Sequence, residues 1–150
     1  MNLSDQQIRP RLATTEVGDT FGPMTVHVDR PRLVEYAAAS GDRNRIHWDE
    51  AFATSVGLPD VIAHGMFTMG AAGELVSQWA GGPAYVRSYG CRFTKPVVVP
   101  YGGGADIEVA GVVKKVDAES GEAMVELTVT HDGAKVLVKA QARVALEVDA

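Results

Sequence analysis

One stretch limits the folds open to this chain more than any other: Gly65-Met66-Phe67-Thr68-Met69-Gly70-Ala71-Ala72-Gly73-Glu74-Leu75-Val76-Ser77-Gln78-Trp79, stopped by Gly81-Gly82-Pro83. Its length predicts a helix of about 22 Å, at about 1.5 Å per residue. It is apolar nearly all round, which predicts burial and not an amphipathic position at the surface. Glu74 is the exception; burying it unpaired is costly, so it is expected at a subunit seam or in solvent. Gly70 and Gly73 each cost up to about 1 kcal/mol of helix propensity against alanine, so something is expected to pack close to both.

The second half of the sequence supplies a sheet to cover that helix. Val125, Leu127 and Val129 alternate with Glu126, Thr128 and Thr130; Val136, Val138, Ala140, Ala142 and Val144 alternate with Lys135, Leu137, Lys139, Gln141 and Arg143. Period two predicts strands with one wet face. Runs at about 86 to 99 and 105 to 116 complete the set. The joints Glu119-Ser120-Gly121 and His131-Asp132-Gly133 have hairpin lengths. One long apolar helix with a consecutive antiparallel meander predicts an α+β fold, the helix laid against a curved sheet.

Ahead of the helix, the reading is of shorter elements. Met24 to Val28 alternates, and Pro31 suits the first turn of a helix carrying Leu33, Val34, Tyr36 and Ala37. Asp49 can cap a short helix from Glu50 to Ser55 that stops at Gly57-Leu58-Pro59. Residues 1 to about 12 are polar and expected to be loose, leaving 13–150 as one domain. With 46% hydrophobic and 22% charged residues, the chain is composed as a globular protein and not as a disordered or fibrous one. A net charge of -5 argues against nucleic acid or an anionic membrane as partner. One cysteine, Cys91, excludes an internal disulfide framework and points to a reducing compartment. With no signal-peptide core and no run of 18 apolar residues, the expected location is the cytoplasm.

Chemistry concentrates in Ser40-Gly41-Asp42-Arg43-Asn44-Arg45-Ile46-His47-Trp48-Asp49, where an acid, an amide and an imidazole fall within six residues. Five residues apart on a straight helix, Asp42 and His47 would point about 140° away from each other, so they converge on one water only if the chain bends between them. Gly41 and Asn44 favour that bend.

Residues 36–70, YAAASGDRNRIHWDEAFATSVGLPDVIAHGMFTMG, closely resemble the hydratase motif of MaoC-like (R)-specific enoyl hydratases and (3R)-hydroxyacyl-thioester dehydratases. Arg92-Phe93-Thr94-Lys95-Pro96-Val97 resembles the family's next landmark. Within the family, the likeness is greatest to the catalytic subunit of the (3R)-hydroxyacyl-ACP dehydratase of mycolic-type elongation. The resemblance implies a hot-dog fold over residues 13–150 and reversible hydration of 2-enoyl thioesters of CoA or ACP in fatty acid metabolism. It further implies Asp42 and His47 as the catalytic pair, with Asn44 orienting the loop or the water. Two such units are expected to pair, as a homodimer or with a related hot-dog subunit. The chain departs from the family at Arg45, where proline is usual, which leaves either a less rigid loop or a contact to a substrate phosphate. It departs again at Tyr101-Gly102-Gly103-Gly104, where the family tends to have Pro-Gly-Asp.

A carboxylate and an imidazole holding one water can run both proton transfers of a hydration, each typically worth about 10² to 10⁴ in rate. The start of a buried helix offers free N–H groups and a positive dipole end, and Gly65 has no Cβ to block a thioester carbonyl. The Gly65 N–H is therefore the expected oxyanion donor, worth about 3 to 4 kcal/mol. Ser40 is expected to bond the catalytic loop. Plainer readings stand beside these. Asp42 and Asn44 alone read as turn formers, and Asp49 as a helix cap. His64 reads first as structural and second as a substrate contact; Met66, Phe67 and Met69 read first as core and second as acyl-pocket lining. His27 and His131 are expected to face solvent, and Cys91 to be buried filler. No histidine spacing suits a metal, and no cofactor is expected. Two rival functions remain: a thioesterase using Glu74 as helix acid, and a non-catalytic subunit shaping an acyl channel, which should lack the acid and histidine.

Overall fold

The computed structural model describes residues 9–149. Five strands, β1 (Thr20–Val28), β2 (Val86–Phe93), β3 (Ala105–Asp117), β4 (Glu122–His131) and β5 (Ala134–Ala145), form one antiparallel sheet in the order β1-β3-β4-β5-β2. Three helices, α1 (Arg30–Ser40), α2 (Glu50–Ser55) and α3 (Gly65–Ala80), lie between β1 and β2 in sequence. Because α3 packs on β1, β2, β3 and β5, one helix against one antiparallel sheet, the architecture is α+β and of the hot-dog type.

Only β3, β4 and β5 follow one another as the expected meander; β2 joins the far edge, pairing with β5 from Val86↔Val144 to Phe93↔Leu137. The run expected as one strand over 86 to 99 breaks after Phe93. Pro96 and Pro100 carry no N–H for a ladder, so the segment between them leaves the sheet and makes an isolated bridge to residues 61–63. The Ala63 N–H donates to the Val97 carbonyl at 2.8 Å, and the Val99 N–H to the Val61 carbonyl at 2.9 Å. The chain thus passes under the helical half before β3 begins.

On β4 the alternation holds, with Val125, Leu127 and Val129 buried. On β5 it slips. Leu137, expected on the wet face, is buried, while Val138 is only partly covered. The pairing register shifts twice near this point, and Lys139 takes a positive φ of 50°, the mark of a bulge that re-aims the side chains beyond it.

Helix α3 is buried on one face and not all round. Thr68, Ala72, Leu75, Val76 and Ala80 face the sheet, whereas Met66, Gly70, Glu74 and Gln78, four residues apart, form an exposed stripe. A single sheet covers a single side of a helix. Burial of Leu75 and Val76 contributes roughly 1.5 to 3 kcal/mol each. The two glycines differ as well. A Cβ on Gly73 would lie 2.9 Å from the Tyr89 ring, while one on Gly70 would meet nothing within 4 Å. Close packing therefore explains Gly73 and not Gly70. Gly81 ends the helix in the left-handed conformation, φ 83°.

Of the terminal segment expected to be loose, residues 1–8 lie outside the described residues. Residues 9–12 are docked: Leu12 N–H donates to the Glu147 carbonyl at 2.8 Å, Glu147 N–H to the Pro10 carbonyl at 2.9 Å, and the Arg9 guanidinium sits 3.6 Å over the Tyr85 ring. Polarity alone predicts looseness here; backbone pairing with the chain beyond β5 overrides it. Among the described residues, no helix is long and apolar enough to cross a membrane.

Candidate active site

The bend anticipated between Asp42 and His47 is built from local hydrogen bonds. Gly41 closes α1 in the left-handed region at φ 79°. The Asp42 N–H then donates to Ser40 Oγ at 3.2 Å, the Asn44 N–H to Asp42 Oδ1 at 3.1 Å, and the Ile46 N–H to Asn44 Oδ1 at 3.2 Å. Short polar side chains bonding the backbone two residues on make such turns. The last of these bonds caps a 3-10 turn, Arg45–His47, which swings His47 inward to 6% exposure. Asp49 caps α2 by accepting the Phe52 N–H at 3.0 Å.

The two imidazoles of the region are stacked, His47 on His64, with centroids 3.7 Å apart and planes 19° apart. His47 Nδ1–H donates to the Ile62 carbonyl at 2.7 Å, which leaves Nε2 as a bare acceptor. That Nε2 faces Asp42 Oδ2 at 3.9 Å. The gap is too long for a direct hydrogen bond. Burial holds the His47 pKa below the ordinary imidazole value; the nearby His64 lowers it further, against raising contributions from the Ile62 hydrogen bond and Asp42. His64 is 1% exposed, donates Nε2–H to the Asp42 backbone carbonyl at 3.0 Å, and touches the Tyr36 ring at 4.7 Å between centroids. Its Nδ1 is buried with no hydrogen-bond partner.

Asp42, His47 and His64 offer ligand atoms within 4.8 Å of one another. Imidazoles lying face to face direct their in-plane lone pairs side by side and not toward one point, so the trio is poorly shaped for a shared ion.

His47 also borders a cleft of about 390 Å³, lined mainly by apolar groups from Ile46, Ile62, Phe93, Pro96 and Leu137, and also by Gly65, Thr68 and Lys95. Gly65 is the first residue of α3, so its N–H has no intrahelical acceptor and lies at the positive end of the helix dipole. The Phe93 ring approaches it closely: a Cβ on Gly65 would stand 3.1 Å from Phe93 Cε1, although Gly65 itself stays exposed. Among the described residues, three polar side chains are buried, His47, His64 and Thr68, and all three gather at this end of α3. Buried polar groups are costly away from function or full hydrogen bonding, so their clustering makes this end of α3 the candidate site.

Other residues named from the sequence fall elsewhere. Ser40 and Asn44 serve the loop and do not line the cleft. Arg45 forks onto Asp49 Oδ2 at 3.1 and 2.7 Å and lies 4.5 Å over the Phe52 ring, which leaves it bound to its own helix cap. Met66 is 60% exposed and borders a separate groove with Tyr36, Gly70 and Glu74. Glu74 is exposed there and accepts the Gln78 amide at 3.1 Å. His27 is exposed and bonded to Asp106, whereas His131, expected in solvent, is mostly covered and bonded to the Asp106 carbonyl. Cys91 is partly buried. No sequence signal points to Ile62, which bonds His47 through its carbonyl, and little points to Thr68 or Phe93; an aromatic residue closing a strand ahead of Thr94-Lys95-Pro96 is the one signal for Phe93.

Sheet, helix and buried polar cluster define the class: a hot-dog domain with an acid and an imidazole beside the N-terminus of its central helix. The profile of the MaoC-like domain matches residues 13–131, and the chain belongs to the MaoC-like family. It is similar to 3-hydroxyacyl-thioester dehydratase X of Mycobacterium tuberculosis, 48% identical over 69 residues, which are 46% of this chain and 24% of that protein. The chain thus matches about a quarter of that dehydratase's length. A solved MaoC-like dehydratase superposes with a TM-score of 0.90 at 39% identity, over 93% of this chain and 43% of the other. The unliganded R-hydratase PhaJ1 of Pseudomonas aeruginosa superposes at 0.80 with 26% identity, over 94% of this chain and 88% of that one.

Proposed function

We propose that the chain is a hydro-lyase that interconverts 2-enoyl and (3R)-hydroxyacyl thioesters of CoA or ACP in fatty acid metabolism. The observation that carries this reading is the 3.9 Å gap between the bare His47 Nε2 and Asp42 Oδ2. A water about 2.8 Å from both would see them about 90° apart, close to the angle between its two hydrogens. Both hydrogens are then held and an oxygen lone pair is free. In hydration that oxygen bonds to C3 while the pair takes one proton. The displaced electrons pass through C2 to the thioester oxygen, where the Gly65 N–H donates, and the pair then returns a proton to C2. Dehydration runs the same steps backwards.

The names of the relatives agree with this chemistry, and the helix-acid alternative is poorly supported: Glu74 borders the other groove, away from the cleft that His47 and Gly65 share. The exposed stripe of α3 and the open edge of β2 suit pairing with a second hot-dog unit, either another copy or a related subunit. A reducing compartment, the cytoplasm, suits a chain with one cysteine. The test is hydration of 2-enoyl-CoA and 2-enoyl-ACP of increasing length by the purified chain, with chiral analysis of the product. A (3R) product is expected; an (S) product, or hydrolysis of the thioester in place of hydration, would overturn the reading.

A further inference from the structure

His64 touches both members of the pair without bordering the cleft. Its Nε2–H holds the backbone carbonyl of Asp42 at 3.0 Å, and its ring backs that of His47 at 3.7 Å. Its own carbonyl accepts the Thr68 N–H at 3.2 Å in the first turn of α3, and Tyr36 closes the side of its ring. The ring is therefore fixed from the helix that carries the oxyanion donor, and it reaches across 22 residues of sequence to the loop that carries the acid. With Nε2 donating and no acceptor near the buried Nδ1, the arrangement puts the ring hydrogen on Nε2.

Building on the hydratase reading, we propose that His64 is a positioning residue: one buried imidazole whose Nε2–H fixes the Asp42 backbone and so sets the width of the gap between Asp42 and His47 that holds the water. Asp42 needs such a clamp, because its side chain is 53% exposed and its other hydrogen bonds are to Ser40 and Asn44, each two residues away. A displacement of about 1 Å in a proton-transfer group costs on the order of 10² in rate, so a clamp of this kind is visible in kcat.

Two near-isosteric variants separate the two contacts. His64→Phe keeps a ring against His47 and loses the donor to Asp42; His64→Gln keeps an amide N–H at the reach of Nε2 and loses the ring. We expect His64→Phe to lower kcat about 10²-fold with KM changed by less than about two-fold, and His64→Gln to stay within about five-fold of wild-type kcat. Hydrogen exchange at the Asp42 and Asn44 amides should quicken in His64→Phe and not in His64→Gln. A readout without any variant is the ring-nitrogen NMR spectrum of the wild-type chain, which should place the His64 hydrogen on Nε2. The proposal is overturned by a hydrogen on Nδ1, by unchanged kcat in His64→Phe, or by Phe and Gln variants that are equally slow. If the wild-type chain shows the Nε2 hydrogen and no hydratase activity, it is the hydratase reading that has failed, and the positioning role of His64 falls with it.

Discussion

His47 gives its one donor, Nδ1–H, to the carbonyl of Ile62, and this bond decides which nitrogen faces Asp42. The ring must be neutral for Nε2 to accept a proton from water. Burial, the largest influence on this group, favours that neutral form and lowers its pKa. The acid limb of kcat/KM against pH should therefore have its midpoint below the ordinary value of about 6.5. A profile measured from about pH 5 to 8 checks this; a midpoint above about 6.5 would contradict it.

The same shift bears on stability. The folded His47 binds a proton less readily than the unfolded chain does, so its contribution is whole above about pH 6.5 and is lost as pH falls from there through the lowered folded value. Denaturant midpoints of wild type and His47→Gln should differ in that window: the wild type loses stability toward acid more steeply than the variant. Parallel curves would show that the group titrates alike in both states.

Gly73 and Gly70 should respond in opposite ways to alanine. At Gly73 the new Cβ meets the Tyr89 ring at 2.9 Å, and the ring is tethered by a 2.8 Å bond from its hydroxyl to the Met69 carbonyl. Overpacking of this kind costs about 1–3 kcal/mol, against up to about 1 kcal/mol of propensity gained. Gly73→Ala should lower Tm, by about 2–4 °C per kcal/mol at this chain length. Gly70→Ala, which meets open space, should raise Tm slightly. Thermal scans of the two variants decide the matter, and a stabilised Gly73→Ala would refute the packing described for α3.

If a second hot-dog unit covers the α3 stripe, Gly70→Ala should weaken association even while it steadies the subunit. Light scattering on the purified chain should give about twice 15.9 kDa, or association should appear once a related subunit is added. A monomer that is fully active on long acyl chains would rule out a site shared between units.

Much of this molecule is legible in local sequence, because the physics involved is local. Asp49 and the Gly57-Leu58-Pro59 stop mark α2 at Glu50–Ser55, and Gly81 marks the end of α3 within a residue. The clustering of Asp42, Asn44 and His47 marks the loop, and Gly41 and Asn44 mark its bend. What stays hidden depends on distant partners. Nothing in the alternation of β5 announces the bulge at Lys139, which turns Leu137 inward. The place of β2 at the far edge follows from where α3 delivers the chain. Ile62 contributes a carbonyl, and every residue has one. His64 shows its role only when folding brings it 3.0 Å from a carbonyl 22 residues earlier.

The most direct test of the central claim is the hydration rate of a 2-enoyl thioester by wild type, Asp42→Asn and His47→Ala, each first shown to be folded. Both substitutions remove a group proposed to transfer protons and leave the sheet-facing core untouched. Each should lower kcat at least about 10²-fold with an unchanged far-ultraviolet spectrum. Near-normal turnover in either folded variant would contradict the assignment of Asp42 and His47 as the pair that handles the water.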